Sequence, residues 1–483
     1  MPKERSPVSL LSRLAFFMLC LLMAYSASAG TGVFLHVGAV SFWRIVMLCF
    51  ALFAIIPFFK NISVILRMKS LWMLLALAVI MAIEIVIGIK NGYSSSSIVQ
   101  DVKSLIYFVM FPLIASVLND KRRGRILMKV IMFASFLISI FTCVFFLLYL
   151  HLPLQFADVR DICYRAEFLN LTEISNKIVR ILFVSTPFQL CACAFPFYFQ
   201  LTEKKASWPY GVISGVGLFA IMISYTRALY LAAFISAITV IVVCALSAAK
   251  ELRVRLFKQI AIAVLTLGII TLCSSISVKT NFFGYALERV FVGTNTVEEE
   301  MNNDVQHSTQ DNVDASITEE QPTNNAVTPE VQSPAHSEIP EFNTEEEYLE
   351  ATLVSDELRK NLRQRLIGLI KQSPVIGNGL GLTLEGRAGV PEYFFLDLWA
   401  KMGIFGLFFF LLPAGYAFFV VIKRIVQRKD ALLQGIWFSV LVGLLVYAIF
   451  QPYMNNAPCI LFYCCVLCVT ELSNSSGTEN MKV

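Results

Sequence analysis

Long apolar runs recur along this sequence, separated by short polar turns. Each is close to the ~20 residues that a helix needs to cross ~30 Å of hydrocarbon, where backbone amides must be satisfied within the helix. Hydrophobic residues make up 57% of the chain and charged residues 15%, whereas soluble domains average about 45–50% and about 25%. The sequence therefore predicts an all-α, polytopic integral membrane bundle of about twelve transmembrane helices, near residues 12–29, 36–58, 71–89, 104–119, 127–150, 180–200, 208–224, 228–248, 259–278, 393–421, 433–451 and 456–472.

This composition excludes a soluble enzyme, a disordered chain and a nucleic-acid-binding protein. Eleven of the 12 cysteines lie inside apolar runs, where a free thiol behaves as a small hydrophobe. Only Cys163 lies in a polar loop, and no cysteine pair has histidines at zinc spacing, so neither a metal nor another cofactor is expected. The first run has a basic flank and ends in ASASAG like a signal peptide, but the eleven further runs favour a retained helix.

Lysine and arginine are distributed unevenly between alternate turns. With the N-terminus inside, 21 of the 39 basic residues lie on the inner face, and the short outer turns near 30–35 and 452–455 carry none. Basic residues accumulate on the cytoplasmic side of membrane proteins. The pattern predicts that both termini are cytoplasmic.

The interval between the ninth and tenth runs is far longer than any other. We predict helices 1–9 in residues 1–278, a large outer loop at 279–392, helices 10–12 in 393–472 and a cytoplasmic tail at 473–483. Residues 294–350 hold fifteen acidic and no basic residues, which predicts disorder. The following segment, 355–371, places leucine or isoleucine every fourth residue and predicts an amphipathic helix near the outer interface.

Ionisable residues in or beside apolar runs indicate possible sites, because a charge at the bilayer centre is costly. Arg227, within SYTRALY, lies at the outer junction of two runs. It either snorkels to the interface as an ordinary boundary residue or forms a cation site for an anionic head group. Glu84 and Arg44 lie near the outer ends of their runs, and structural pairing explains Glu84 at least as well as catalysis does.

The segment 363–410 carries the most specific pattern in the chain. An arginine (Arg365) precedes SPVIGNGLG, with Pro374 and glycines at 377, 379 and 381, and a helix containing KMGIFG follows. With SYTRALY upstream and a large outer loop between, this order resembles the O-antigen polymerase and O-antigen ligase superfamily. The resemblance covers roughly residues 215–455. It implies a bacterial inner-membrane enzyme that acts at the periplasmic face on undecaprenyl-diphosphate-linked glycans, with a chain-length regulator protein as a possible partner.

Two positions depart from that pattern. The serine–arginine element of the superfamily matches Ser224 to Arg227 only loosely, because two residues intervene. Where ligases carry histidine and asparagine, eleven residues before the first glycine of GIFG, this chain has Glu392 and Tyr393. The missing histidine disfavours a ligase with a histidine base and favours a polymerase, in which this position varies.

The expected chemistry assigns roles to the outer residues. Glycan transfer from a diphosphate carrier leaves extra negative charge, which arginine forks can hold without a metal. We predict Arg227 and Arg365 as catalytic residues. Glu392 is either the base for the acceptor hydroxyl, with inversion at the anomeric carbon, or a carboxylate favoured by its helix N-terminus. The predicted substrate-binding residues are Arg160, Arg165, Arg289, Gly377, Gly379 and Tyr393.

The favoured function is therefore an O-antigen polymerase that moves a growing glycan from one undecaprenyl diphosphate to the next lipid-linked repeat unit. An O-antigen ligase or a protein O-oligosaccharyltransferase is the alternative within the same superfamily. A lipid-linked oligosaccharide flippase or another transporter is the alternative from a different class. Against it, the long loop follows the ninth run and faces outward, and no internal repeat is visible.

Overall fold

The computed structural model describes residues 7–29, 36–37, 40–151, 169–175, 178–203, 208–247, 250–278, 284, 345–384, 393–427 and 431–475. Helices dominate these ranges, as the sequence predicts, and the chain is a polytopic helical membrane protein. The helices are α1 (Pro7–Ala29), α2 (Phe42–Ile65), α3 (Lys69–Lys90), α4 (Ser95–Leu105), α5 (Phe111–Val117), α6 (Lys121–His151), α7 (Gln189–Thr202), α8 (Trp208–Met222), α9 (Arg227–Ser247), α10 (Lys250–Val278), α11 (Glu345–Gln372), α12 (Phe394–Val426), α13 (Leu432–Phe450) and α14 (Ala457–Ser475).

Two short antiparallel hairpins interrupt the helices. Strands β1 (His36–Val37) and β2 (Val40–Ser41) precede α2, and strands β3 (Leu169–Ser175) and β4 (Ile178–Phe183) precede α7. In the second hairpin Thr172 lies opposite Arg180, so this arginine belongs to a strand rather than to a helix.

Each of the twelve predicted spans overlaps a helix in the structure, and the sixth does so only from Gln189, where the 14-residue α7 begins. Nine helical stretches are long and apolar enough to cross a membrane, and α8 and part of α14 are shorter apolar helices, all counted within the described ranges. The stretch 95–117 is one such span, in which a 3-10 turn (Ile106–Met110) joins α4 to α5.

Several predicted boundaries differ from the structure by a turn or more. The second span begins at Phe42 rather than at 36, since residues 36–37 and 40–41 form the first hairpin. The fourth begins at Ser95 rather than at 104, because its first turns are polar and Ser94 caps them by accepting the Ser97 amide N–H at 3.2 Å. The sixth does not begin at 180, because that stretch pairs as β4.

Helix α11 covers the segment 355–371, for which an amphipathic helix is predicted, and begins earlier, at Glu345. Its described apolar residues Leu366 and Ile370 are buried against Ala400 of α12. Residues 345–350, at the end of the segment 294–350 that is predicted to be disordered, are helical. The other residues of that segment lie outside the described ranges.

The last two helices form the centre of the bundle. In α13, 78% of the apolar window is buried, compared with 11% in α10. Aromatic rings join these helices to α7, with Phe195 5.1 Å from Trp437 and Trp437 5.3 Å from Phe462 between ring centroids. The apolar side chains of peripheral helices such as α10 therefore face lipid, whereas α13 and α14 are enclosed by protein.

Contacts between turns sort the helix ends into two groups, which we name the outer end and the inner end. The inner end holds the turns that carry the predicted cytoplasmic basic residues. Its contacts join Arg123 Nη1 to Ser12 Oγ (2.9 Å), Ser70 N to Glu471 Oε1 (2.6 Å) and Arg255 Nη1 to the Glu203 carbonyl (2.9 Å). Contacts at the outer end join Asn91 Nδ2 to the Asn378 carbonyl (2.9 Å), Ser185 Oγ to the Ser28 carbonyl (2.8 Å) and Arg180 Nη2 to Thr226 Oγ1 (3.3 Å).

Candidate functional site

The turn between α8 and α9 presents Arg227 at the outer end. Tyr225 lies inside this turn with φ 45°, the one described residue other than glycine with a positive φ, and its side chain is only 1% exposed. Thr226 Oγ1 donates to the Ser224 carbonyl at 3.0 Å. Arg227 then begins α9 and is exposed. The buried tyrosine thus anchors a sharp turn that leaves the following arginine facing outward.

A second arginine, which the sequence analysis did not single out, lies beside this turn. The half-buried guanidinium of Arg180, on β4, donates to Thr226 Oγ1 at 3.3 Å, one residue from Arg227. The available sequence signal is an isolated arginine at the boundary between a polar outer segment and an apolar run.

The turn between α13 and α14 also contacts the second hairpin. The Tyr453 hydroxyl donates to the Val184 carbonyl, directly after β4, and its ring lies 5.2 Å from that of Tyr447. Burial raises the pKa of Tyr453 well above its ordinary value, so the hydroxyl keeps the proton that it donates. The position of Arg180 is therefore fixed from two sides, by the α8–α9 turn and by the enclosed helices.

Helix α11 carries the other predicted catalytic arginine. Arg365 lies on its exposed face, opposite the buried Leu366 and Ile370. The helix contacts both α12 and β3. The second hairpin therefore contacts both elements, since Arg180 of β4 bonds to Thr226, next to Arg227, and β3 contacts the helix that bears Arg365.

Residues 373–381, which we name the glycine loop, connect α11 to the start of α12 and to α3. Their backbone amides donate to protein atoms in succession. The pairs are Gly377 N to the Ser373 carbonyl (3.1 Å), Asn378 N to the Ala400 carbonyl (3.0 Å), Gly379 N to the Lys401 carbonyl (3.0 Å), Leu380 N to the Glu84 carbonyl (3.1 Å) and Gly381 N to Asp101 Oδ2 (2.8 Å). In this structure the loop amides bind the bundle rather than pointing into an open anion cradle.

Close backbone approach explains the glycines in this loop. Gly379 has φ +92°, and an added Cβ would lie 2.6 Å from the Gly88 nitrogen of α3. At Gly377, φ is +95° and a Cβ would lie 2.4 Å from the Lys401 carbonyl oxygen. Gly403, with φ +61°, kinks α12 where the loop crosses it. The glycine pattern therefore allows the loop to wedge between α3 and α12.

A buried charged group lies beside the glycine loop, and the sequence analysis missed it. Lys401 Nζ contacts Asp101 Oδ1 at 2.8 Å and Asp397 Oδ2 at 3.0 Å. The side chains are 6%, 14% and 9% exposed, respectively. Asp397 and Lys401, two ionisable residues inside an apolar run, are the signal that would have identified part of this group.

The predicted site residues fall into two sets. Arg227, Arg365, Gly377, Gly379 and Tyr393 are described. Tyr393 directly precedes α12, is half-buried against the apolar face of α11 and accepts the Asp397 amide N–H at 2.9 Å. The others, which lie outside the described residues, are Arg160, Arg165, Arg289 and Glu392.

Two further ionisable residues singled out in the sequence have clear positions. Glu84 is 2% exposed in α3, and its backbone carbonyl accepts the Leu380 amide of the glycine loop. Arg44 is exposed near the start of α2. No arginine pairs with Glu84 among the contacts of the described residues, so the predicted structural pairing is not observed there.

No cluster of three or more histidine, cysteine, aspartate or glutamate side chains suited to a metal ion occurs within the described ranges. The charged side chains of the outer end include the exposed Arg227 and Arg365 and the half-buried Arg180. Such a group can bind a multiply charged phosphate through guanidinium forks.

The chain was compared with models of known protein families and with curated proteins. Residues 212–411 match the O-antigen ligase family model, a segment that runs from α8 through the glycine loop into α12. No curated protein matches the chain. Arg227, Arg365 and Lys401 lie within the matched segment, whereas Arg180 and Asp101 precede it. The match confirms the predicted resemblance: residues 212–411 of this multi-pass membrane chain are similar to the O-antigen ligase family.

Proposed function

We propose that this protein is an O-antigen polymerase, which transfers a growing glycan from undecaprenyl diphosphate to the next lipid-linked repeat unit. The proposal places it in the bacterial inner membrane, with residues 1–278 and 393–472 forming the membrane part, 279–392 the periplasmic segment and 473–483 a cytoplasmic tail. Its basis is the family match together with one observation: Arg180 is bonded beside Arg227 at the outer end.

The proposed transfer is a displacement at the anomeric carbon of the donor glycan. The acceptor hydroxyl oxygen forms a bond to the anomeric carbon while the bond from that carbon to the phosphate oxygen breaks, so the configuration inverts. The electron pair leaves with the diphosphate, whose added charge Arg180, Arg227 and Arg365 stabilise without a metal. The acceptor proton passes to a carboxylate, a role we assign to Glu392. We assign contacts with the bound lipid-linked glycan to Arg160, Arg165, Arg289 and Tyr393.

Arginine variants test this proposal directly. We expect Arg180→Ala, Arg227→Ala and Arg365→Ala each to lower the rate of glycan polymerisation about 100-fold or more, since each removes a donor aimed at developing charge. Lysine at the same positions keeps the charge but loses the bidentate fork and should restore activity only in part. The measurement is chain formation by purified protein from lipid-linked repeat units.

Matched controls come from other exposed arginines. Arg363 lies two residues from Arg365 on the same helix, and Arg44 lies at the outer start of another helix. Arg363→Ala and Arg44→Ala should polymerise normally. Wild-type chain length in the Arg227→Ala and Arg365→Ala proteins would refute the proposed site.

A deletion strain separates the proposed activity from that of a ligase. Loss of a polymerase leaves lipid A-core carrying a single repeat unit, whereas loss of a ligase leaves no repeat attached. We expect the single-repeat profile, resolved by gel electrophoresis of the lipopolysaccharide. A profile without any attached repeat would assign ligation instead.

A further inference from the structure

We propose that Asp101, Lys401 and Asp397 are positioning residues that hold the glycine loop, and with it α11, in the arrangement required for glycan transfer. We name this group the charged latch. The inference deepens the proposed function, on which its kinetic test rests, and assigns a role to charges that make no contact with substrate in the proposed mechanism.

The latch joins three separate parts of the chain. Asp101 lies in the second turn of α4, whereas Lys401 and Asp397 lie one turn apart near the start of α12. One oxygen of Asp101 contacts Lys401 Nζ at 2.8 Å, and the other accepts the Gly381 amide N–H at 2.8 Å. The same carboxylate therefore connects α12 to the end of the glycine loop.

Lys401 holds the loop through its backbone as well. Its carbonyl accepts the Gly379 amide at 3.0 Å, while its side chain orients the carboxylate that binds Gly381. Farther along α12, the Ile404 amide donates to the Pro374 carbonyl at 3.0 Å, at the start of the loop. Displacement of Lys401 would thus release the loop at more than one point.

The charges need an explanation beyond stability. Burying ions carries a desolvation cost, and apolar residues of similar volume often stabilise a protein equally well or better. At 6% exposure and with two carboxylates within 3.0 Å, Lys401 is not a cation available to a phosphate. An apolar residue in place of Asp101 would lack the oxygen that accepts the Gly381 amide N–H. This requirement indicates that Asp101 positions the glycine loop.

The loop transmits this positioning to the arginine helix. It leads directly from α11, and Asn378 Nδ2 returns to the Leu369 carbonyl of that helix at 3.2 Å and to the Ala400 carbonyl of α12 at 2.8 Å. The orientation of α11 sets where Arg365 lies relative to the second hairpin. A misplacement of about 1 Å far from the reacting atoms can lower a rate about 100-fold.

A graded series at Asp101 tests the proposal. Asp101→Leu removes both the charge and the acceptor for the Gly381 amide, and we expect kcat to fall about 100-fold with KM for the lipid-linked donor changed less than about threefold. Asp101→Asn keeps an acceptor oxygen, and we expect a loss of about tenfold. Lys129→Met, which breaks the exposed contact between Lys129 and Glu203 at the inner end, should have no effect and serves as the control.

A labelling experiment reports the loop position without using activity. Leu380 is 2% exposed, so Leu380→Cys, in a background with Cys163→Ser and Cys273→Ser, should resist a membrane-impermeant maleimide while the latch is intact. Adding Asp101→Asn or Asp101→Leu should raise the labelling rate about tenfold or more. If the Asp101→Leu protein does not accumulate in the membrane, the labelling rate of the Asp101→Asn protein tests the same expectation.

The two measurements separate the two proposals. If wild-type protein forms no glycan chains but labelling depends on Asp101, the proposed polymerase function fails and the latch stands. If labelling is the same with and without Asp101, or if Asp101→Leu accumulates and polymerises normally, the latch is refuted while the arginine results remain interpretable.

Discussion

Single glycines determine how closely the outer segments of this chain approach one another. Gly379 and Gly88 face each other across the contact between the glycine loop and α3, with φ of +92° at Gly379. A left-handed backbone is costly for a residue with a Cβ, by about 1–2 kcal/mol. Space and conformation therefore both restrict Gly379, and the two restrictions are experimentally separable.

We expect Gly379→Ala to lower the amount of folded, detergent-extracted protein sharply, because the new Cβ would lie 2.6 Å from backbone as well as adopting a strained φ. Gly92→Ala is the matched control. Gly92 has a similar φ of +78° but nothing within 4 Å of an added Cβ, so only the conformational cost of about 1–2 kcal/mol applies. Thermal unfolding of the two variants measures the difference, and equal midpoints would contradict the packing argument.

Individual site residues differ in how far the sequence reveals them. Arg227 and Arg365 are recognisable because each belongs to a local pattern, SYTRALY or the arginine that precedes SPVIGNGLG. Arg180 and Asp101 lack such a pattern, and their significance comes from contacts with residues 46 and 280 positions away in the chain. Contacts of that separation depend on how helices pack, which hydropathy does not specify.

At the scale of elements, the second hairpin is the least expected part of the outer end. Residues of β4 from 180 onward are apolar enough to be predicted as the start of a span, yet β3 and β4 pair with each other, and α7 begins only at Gln189. An apolar stretch of this length is compatible with either strand or helix. The choice follows from the tertiary contacts of Arg180 and Tyr453.

We expect Tyr453→Phe to loosen this hairpin, because it removes the hydroxyl that donates to the Val184 carbonyl while keeping the ring. If the hairpin positions Arg180, polymerisation should fall about tenfold at an unchanged protein level, about the effect of one lost hydrogen bond. Tyr416→Phe is the control, since Tyr416 faces Lys69 at the inner end. Unchanged polymerisation in Tyr453→Phe would argue against a positioning role for the hairpin.

Helix ends near the outer surface were also difficult to predict. Hydropathy placed the fourth span at 104, whereas α4 begins at Ser95 with a polar first turn. Its polar residues include Asp101, which reaches the glycine loop only because the helix extends this far. The polar first turns of α4 therefore explain both why the predicted boundary is wrong and why the charged latch is not predicted.

For the whole molecule, the fold class follows from composition and the spacing of apolar runs alone. The structure also sorts the turns into two ends, with contacts such as Arg255 to Glu203 at one end and Asn91 to Asn378 at the other. The predicted orientation depends on the basic residues of the inner turns.

Reporter fusions test this orientation. We expect alkaline phosphatase to be inactive when fused after Ser247, at the inner end, and active when fused after Val278, one helix later. A cytoplasmic reporter, such as a fluorescent protein that folds only inside, should give the opposite pattern. Activity in the reverse order would place the arginines on the cytoplasmic side and exclude the proposed donor site.

The enclosed position of α13 and α14 has a consequence for how the protein is made. Both helices leave the ribosome after α1 to α12, yet they supply the centre around which those helices pack. Until α13 and α14 are inserted, the surfaces of the earlier helices that will later pack against them contact lipid or the insertion machinery. Assembly is completed late in synthesis, and ribosome stalling before residue 432 should leave a chain that quality-control proteases recognise.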